Sequence, residues 1–236
     1  MIRRLGLAVL VVAMMATSGC GRQVTGLGQT ATLPSGQMLI RVSVAGTLDF
    51  TNVEYLIVFN TSGTGQEPYP NALQTGFVNY SYALVLGGPA GLVEPQLIQY
   101  FINTGGASGL GVIERPLAPQ LIQFQPTFNS NEFQIVFDRS ILNFPNPTAA
   151  NPSPAPTTAP QQTWNINFIT VNPSNSITAP GTPIDSMGIG GPTDATFNLP
   201  VDTALGFNQT ALKPVGGPVP SNPNAQLTGY TIINTP

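Results

Sequence analysis

Apolar and polar residues alternate with a period of two along several short stretches of this chain. In QMLIRVSVAG (37–46), Met38, Ile40, Val42 and Val44 share one side, and Leu39, Arg41 and Ser43 the other. This is the pattern of a strand with one buried face. EFQIVFDRSIL (132–142) repeats it with Phe133, Ile135 and Phe137, and FVNYSYALVL (77–86) aligns Val78, Tyr80, Tyr82, Leu84 and Leu86. VEYLIVFN (53–60) is apolar almost throughout and rich in β-branched and aromatic residues, which predicts a central strand. PQLIQYFIN (95–103), PQLIQFQPTFN (119–129) and TWNINFITV (163–171) supply three more strands, and ATFNLPVD (195–202) and TGYTIINT (228–235) two weaker ones. In the 163–171 stretch Trp164 alternates with Ile166 and Phe168, which places its ring in the core.

Composition narrows the fold class. The chain has 236 residues, of which 25 are Gly and 24 are Pro. Such punctuation suits many short strands joined by turns and argues against long helices. The expected fold is therefore all-β: an antiparallel β-sandwich of immunoglobulin-like or jelly-roll-like organisation, with long Pro/Gly-rich loops. PNPTAANPSPAPTTAPQQ (145–162) is the most biased segment and favours extended, solvated conformations. It reads as a loop inside one domain, because TWNINFITV resumes the strand pattern at once and too little chain follows for a second core.

The first twenty residues follow a different plan. MIRR supplies positive charge, LGLAVLVVAMMA (5–16) is an unbroken apolar run, and TSGC ends on Cys20, the only cysteine in the chain. This is the order of an export signal. The apolar run falls short of the roughly 20 residues that cross a bilayer. An ordinary secretory signal cut near Ala16 to Gly19 is one reading of it. The other starts from Thr17-Ser18-Gly19-Cys20, which resembles the lipobox of bacterial lipoproteins, with Thr17 where leucine is usual.

The resemblance implies that the Cys20 thiol receives a diacylglyceryl group and that cleavage makes Cys20 the first residue. Its amine would often take a further acyl chain such as palmitate. Residues 1–19 are then a signal peptide, 20–36 a lipidated flexible tether, and 37–236 a single domain. Gly21, which is not Asp, implies the outer membrane or cell surface rather than the inner membrane in a two-membrane cell. With no second cysteine, Cys20 cannot form a disulfide within the chain. Two or more acyl chains, at about 0.8 kcal/mol per buried methylene, anchor a protein stably.

The chain's chemistry is restricted. It contains no histidine, which excludes Ser-His-Asp and Cys-His catalysis and His-ligated zinc. Charged residues make up 7%, against roughly 25% in an average domain. Once Arg3 and Arg4 are removed with the leader, Arg22, Arg41, Arg115, Arg139 and Lys213 face ten acidic residues. No basic patch exists for nucleic acid. Carboxylates remain. Asp185, Asp194 and Asp202, in IDSMGIGGPTDATFNLPVD, are the candidate metal ligands, with calcium as the cation. The competing reading gives each of them a turn or a strand end to stabilise. Glu54, Glu132 and Asp138 are the formal candidates for a glycosidase pair. Tyr69, in the loop sequence EPYPN, is the candidate for stacking on a sugar. The expectation is a non-catalytic, lipid-anchored envelope module for binding or surface structure, with a polysaccharide or another envelope protein as its ligand. The alternative is a carboxylate- or calcium-dependent envelope enzyme.

Overall fold

Strand β1 (Gln37–Val44) is buried at every second residue, and its buried residues are Met38, Ile40, Val42 and Val44, as the alternation predicts. The computed structural model describes residues 33–61, 80–88, 94–102, 110–126, 130–145, 163–174, 181–186, 197–200, 205–210 and 219–236. After β1 come β2 (Glu54–Asn60), β3 (Tyr82–Leu86), β4 (Gln96–Ile102), β5 (Leu110–Arg115), β6 (Ile122–Pro126) and β7 (Glu132–Asp138). A short 3-10 turn follows at Arg139–Leu142. Then come β8 (Thr163–Val171), β9 (Pro183–Ser186), β10 (Phe197–Pro200), β11 (Leu205–Thr210) and β12 (Leu227–Asn234).

The strands form two antiparallel sheets packed as a β-sandwich. The smaller has the order β11-β12-β1-β7-β6. The larger runs β10-β8-β2-β3-β4-β5, with β9 also pairing β8. Both β10 and β9 lie along the side of β8 away from β2, β10 against Thr163–Ile166 and β9 against Ile169–Val171. The segment 116–121 carries the chain from the β5 edge of one sheet to the β6 edge of the other. The 145–162 segment likewise joins β7 of the smaller sheet to β8 of the larger.

The facing sides of the sheets supply one apolar core. Tyr55, Ile57 and Phe59 of β2, Leu84 and Leu86 of β3 and Trp164, Ile166 and Phe168 of β8 meet the inward residues of β1, β7 and β12. Aromatic pairs join the two layers: Tyr55 meets Phe133 at 5.7 Å between ring centres, Phe59 meets Phe137 at 5.6 Å, and Phe168 stacks on Tyr230 at 5.0 Å. Such pairs add roughly 0.5–1.5 kcal/mol each beyond the area they bury. Trp164 lies edge-on to Phe59 within this core, as expected from its alternation.

The larger sheet has a second cluster on its other face, made of Leu56, Val58, Tyr80, Ala83, Val85, Ile98, Tyr100, Ile169 and Val171. Both faces of β2 and of the second half of β8 are buried. That explains why these segments read as continuous apolar runs. Tyr80 corrects the expectation that it shares a side with Tyr82. The chain bends at Ser81, whose amide donates to the Phe59 carbonyl and whose carbonyl accepts from Tyr100, both at 2.8 Å. Tyr80 therefore lies in the second cluster, against Tyr100, while Tyr82 lies in the first.

Three strands have no counterpart in the expected set: β5, β9 and β11. The 119–129 stretch, read as one strand, begins with a turn in which the Leu121 amide donates to Ala118, and its strand starts at Ile122.

Candidate functional site

The two ends of the sandwich differ in what ties the sheets together. At one end the described chain enters, at residues 33–37, and leaves, at Pro236. The Gly36 amide donates to the Thr235 carbonyl at 2.9 Å, and the Thr235 amide donates to Gln37 at 3.0 Å. The Arg139 guanidinium donates to the carbonyls of Gly36 and Thr235, and Ser35 Oγ donates to Pro236. Asp138 caps the 3-10 turn by accepting from the Ser140 amide. Its bonds to Ser140, then the charge of Arg139, outweigh partial burial and hold its carboxyl below the usual range.

Beyond that turn, residues 143–145 lie against the inner side of β3–β5. Tyr82 hydroxyl donates to the Phe144 carbonyl and accepts from the Phe144 amide, both at 3.0 Å. Gln99 Nε2 donates to the Phe144 carbonyl at 3.2 Å, and Gln99 Oε1 accepts from Arg115 Nε at 2.7 Å. Arg115 also donates to the Pro145 carbonyl at 3.1 Å and lies 4.8 Å from the centre of the Phe144 ring. The root of the 145–162 segment is thus fixed by three side chains from three neighbouring strands.

The opposite end is held by buried polar links. Tyr55 hydroxyl donates to the Asn224 carbonyl at 2.9 Å and accepts from the Asp49 amide at 3.0 Å. Burial pushes its phenol up to about 12. Thr170 Oγ1 donates to the Ala225 carbonyl at 2.7 Å. Asp185, on β9, is 4% exposed. One of its carboxylate oxygens accepts from the Ser186 amide at 3.0 Å and the other from the Leu227 amide at 2.8 Å.

The other acids also hold local structure. Asp49 accepts from the Thr51 and Asn52 amides and from the Asn52 side chain. Burial raises its pKa, but these bonds outweigh that and hold it below the usual value. Glu54 accepts from the Ser174 amide at 3.1 Å, and burial pushes its carboxyl up. Glu132 pairs with Arg41 at 3.1 Å and accepts from Ser43 on the outward side of the smaller sheet.

Of the predicted site residues, Asp185 is described, while Asp194, Asp202, Tyr69 and Cys20 lie outside the described residues. Among the described residues no group of three or more acidic or Cys side chains could hold a metal ion. Trp164 and the described tyrosines (55, 80, 82, 100 and 230) are all buried. The links of Tyr55 to Asn224 and of Gln99 and Arg115 to residues 144–145 carry no signal in the sequence, because each joins positions far apart along the chain. No protein-family model, curated protein or solved structure matches the chain.

Proposed function

We propose that this chain is a lipid-anchored bacterial envelope protein whose β-sandwich is a non-catalytic contact or surface-structural module. The observation that carries the reading is the position of the only cysteine, at the end of Thr17-Ser18-Gly19-Cys20 and just past an apolar run. Acyl chains on Cys20 anchor the protein through the tether, and Gly21 favours the outer membrane or cell surface. Two features support the non-catalytic part. Histidine is absent from the chain, and Asp49, Glu54, Asp138 and Asp185 direct their carboxylates at backbone amides.

The proposed partner is another envelope protein or a polysaccharide. The buried positions of Trp164 and of the described tyrosines favour the envelope protein, since sugar stacking needs an open ring. Tyr69 carries the polysaccharide reading.

Two measurements test this. Cys20→Ala should leave the protein unlipidated and largely uncut by the lipoprotein-specific peptidase. Normal processing with retained membrane association would sink the lipobox reading. Co-sedimentation of the mature protein with insoluble cell-wall and capsular polysaccharide, with Tyr69→Ala beside it, separates the partners. Saturable binding that is lost in the variant assigns a glycan; no binding to any fraction leaves the protein partner.

A further inference from the structure

We propose that the sandwich contains a strand-acceptor slot between β1 and β11, which the chain's own residues 227–236 must fill before the domain closes. The inference rests on topology and is independent of the lipid anchor.

Strand β12 is the last of the described strands and lies inside its sheet. It pairs with β1, the first strand, from Met38↔Asn234 to Val44↔Leu227. On its other side it pairs with β11 from Leu205↔Asn234 to Thr210↔Gly229. Among the described strands β11 pairs with nothing else. Without β12 the five-stranded sheet becomes β1-β7-β6 and an isolated β11.

The losses extend to the core. Leu227, Tyr230 and Ile232 are at most 2% exposed, and Tyr230 covers the Phe168 ring of the opposite sheet. Asp185, buried in β9, loses the Leu227 amide that one of its oxygens binds. A buried carboxylate stripped of such a partner is strongly destabilising. Thr235 then latches the structure, exchanging backbone bonds with Gly36 and Gln37 and accepting from Arg139.

The ligand chemistry of the slot is that of strand addition. It takes an extended peptide with apolar side chains on one side and backbone groups to pair on both edges, and LTGYTIINTP has this form. A chain made from its N-terminus leaves β1 waiting for β12, the longest-range pairing among the described strands, and such pairings form late. The nascent protein therefore stays open until residues 227–236 are free.

The test uses a chain ending at Gln226 and the synthetic peptide 227–236. Alone, the shortened chain should lack a cooperative unfolding transition and show solvent-exposed Trp164 emission. The peptide should restore both in a saturable manner and slow proteolysis by about tenfold or more, because cleavage follows the population of the open state. A scrambled peptide should do neither. Ribosome-stalled chains of residues 1–236 provide a second arm, with extensions after residue 236 that either free residues 227–236 or hold them in the exit tunnel. Protease resistance is expected only when those residues are free. Cooperative unfolding of the shortened chain without peptide overturns the proposal, as does protection with the last strand still in the tunnel. Failure of the peptide to rescue a soluble shortened chain also overturns it.

Discussion

Tyr55 in the larger sheet donates its hydroxyl hydrogen to the carbonyl of Asn224, 2.9 Å away in the turn that leads into β12 of the smaller sheet. The same oxygen accepts from the Asp49 amide at 3.0 Å, so one phenol ties β2 to the loop just before it and to a turn 169 residues further along the chain. Tyr55→Phe keeps the ring and its contact with Phe133 but removes both bonds. It should cost about 2 kcal/mol, the range for leaving buried partners unsatisfied. Urea unfolding would show this as a lower midpoint with an unchanged slope.

Asp185→Asn tests the buried carboxylate in a similar way. The amide has one acceptor oxygen where the carboxylate offers two, so either the Ser186 or the Leu227 amide loses its partner. A loss of about 1–3 kcal/mol is expected. Because both Asp185 oxygens hold amides, calcium or a chelator should shift the melting temperature of the wild type and of Asp185→Asn equally. A rise with calcium that disappears in Asp185→Asn would assign the cation to this residue.

Arg115→Ala should act locally. It removes the bonds to Gln99 and Pro145 and the stack on Phe144, so the root of the 145–162 segment loosens while both cores stay intact. Limited proteolysis should show cleavage after residue 145 rising severalfold, with a loss of about 1–2 kcal/mol in global stability. Arg115→Lys should not rescue, because an ammonium cannot present the planar fork.

Alkaline pH should unfold the protein. Burial raises the phenols of Tyr55, Tyr82, Tyr100 and Tyr230 above their ordinary value of 10.0, Tyr55 to about 12. A phenol with a raised folded pKa contributes stability that is complete below the unfolded pKa and is lost as pH rises through the folded one. Stability should therefore fall from about pH 10 upward. Absorbance at the phenolate band should rise together with loss of tertiary structure. More than one phenolate per chain forming near pH 10 in the intact fold would contradict the burial of the five described tyrosines.

Much of the fold was legible because side-chain alternation is a local property. β1 and β7 show it directly, and Trp164 falls on the core side with Ile166 and Phe168. β5 was not legible, because Gly111 interrupts LGVIER and reads as a turn residue. In the fold, the place its side chain would take is filled by the ring of Phe101, its direct partner on β4. β9 is only four residues long, and its Asp185 reads as a turn former until Leu227 is brought beside it. The polar links at both ends stayed hidden for the same reason: Tyr55 and Asn224, or Arg115 and Pro145, meet only after the sheets have stacked. The proposed anchor is the opposite case, since a leader is read as a linear string.

The second apolar cluster makes the molecule lopsided. Because both sides of β2 are covered, the larger sheet is an interior wall over the residues of that cluster. The smaller sheet has Arg41, Ser43, Glu132 and Gln134 on its outward side, where Arg41 is already neutralised by Glu132 and bonded to Gln134. A visitor to the smaller sheet meets amides, hydroxyls and a charge pair that cancels itself, beside a part-exposed apolar row of Ile233, Leu39 and Val136 on three adjacent strands. Adhesion there would depend on the fit of apolar and hydrogen-bonding groups rather than on attraction at a distance, and it would change little with the salt of the surroundings.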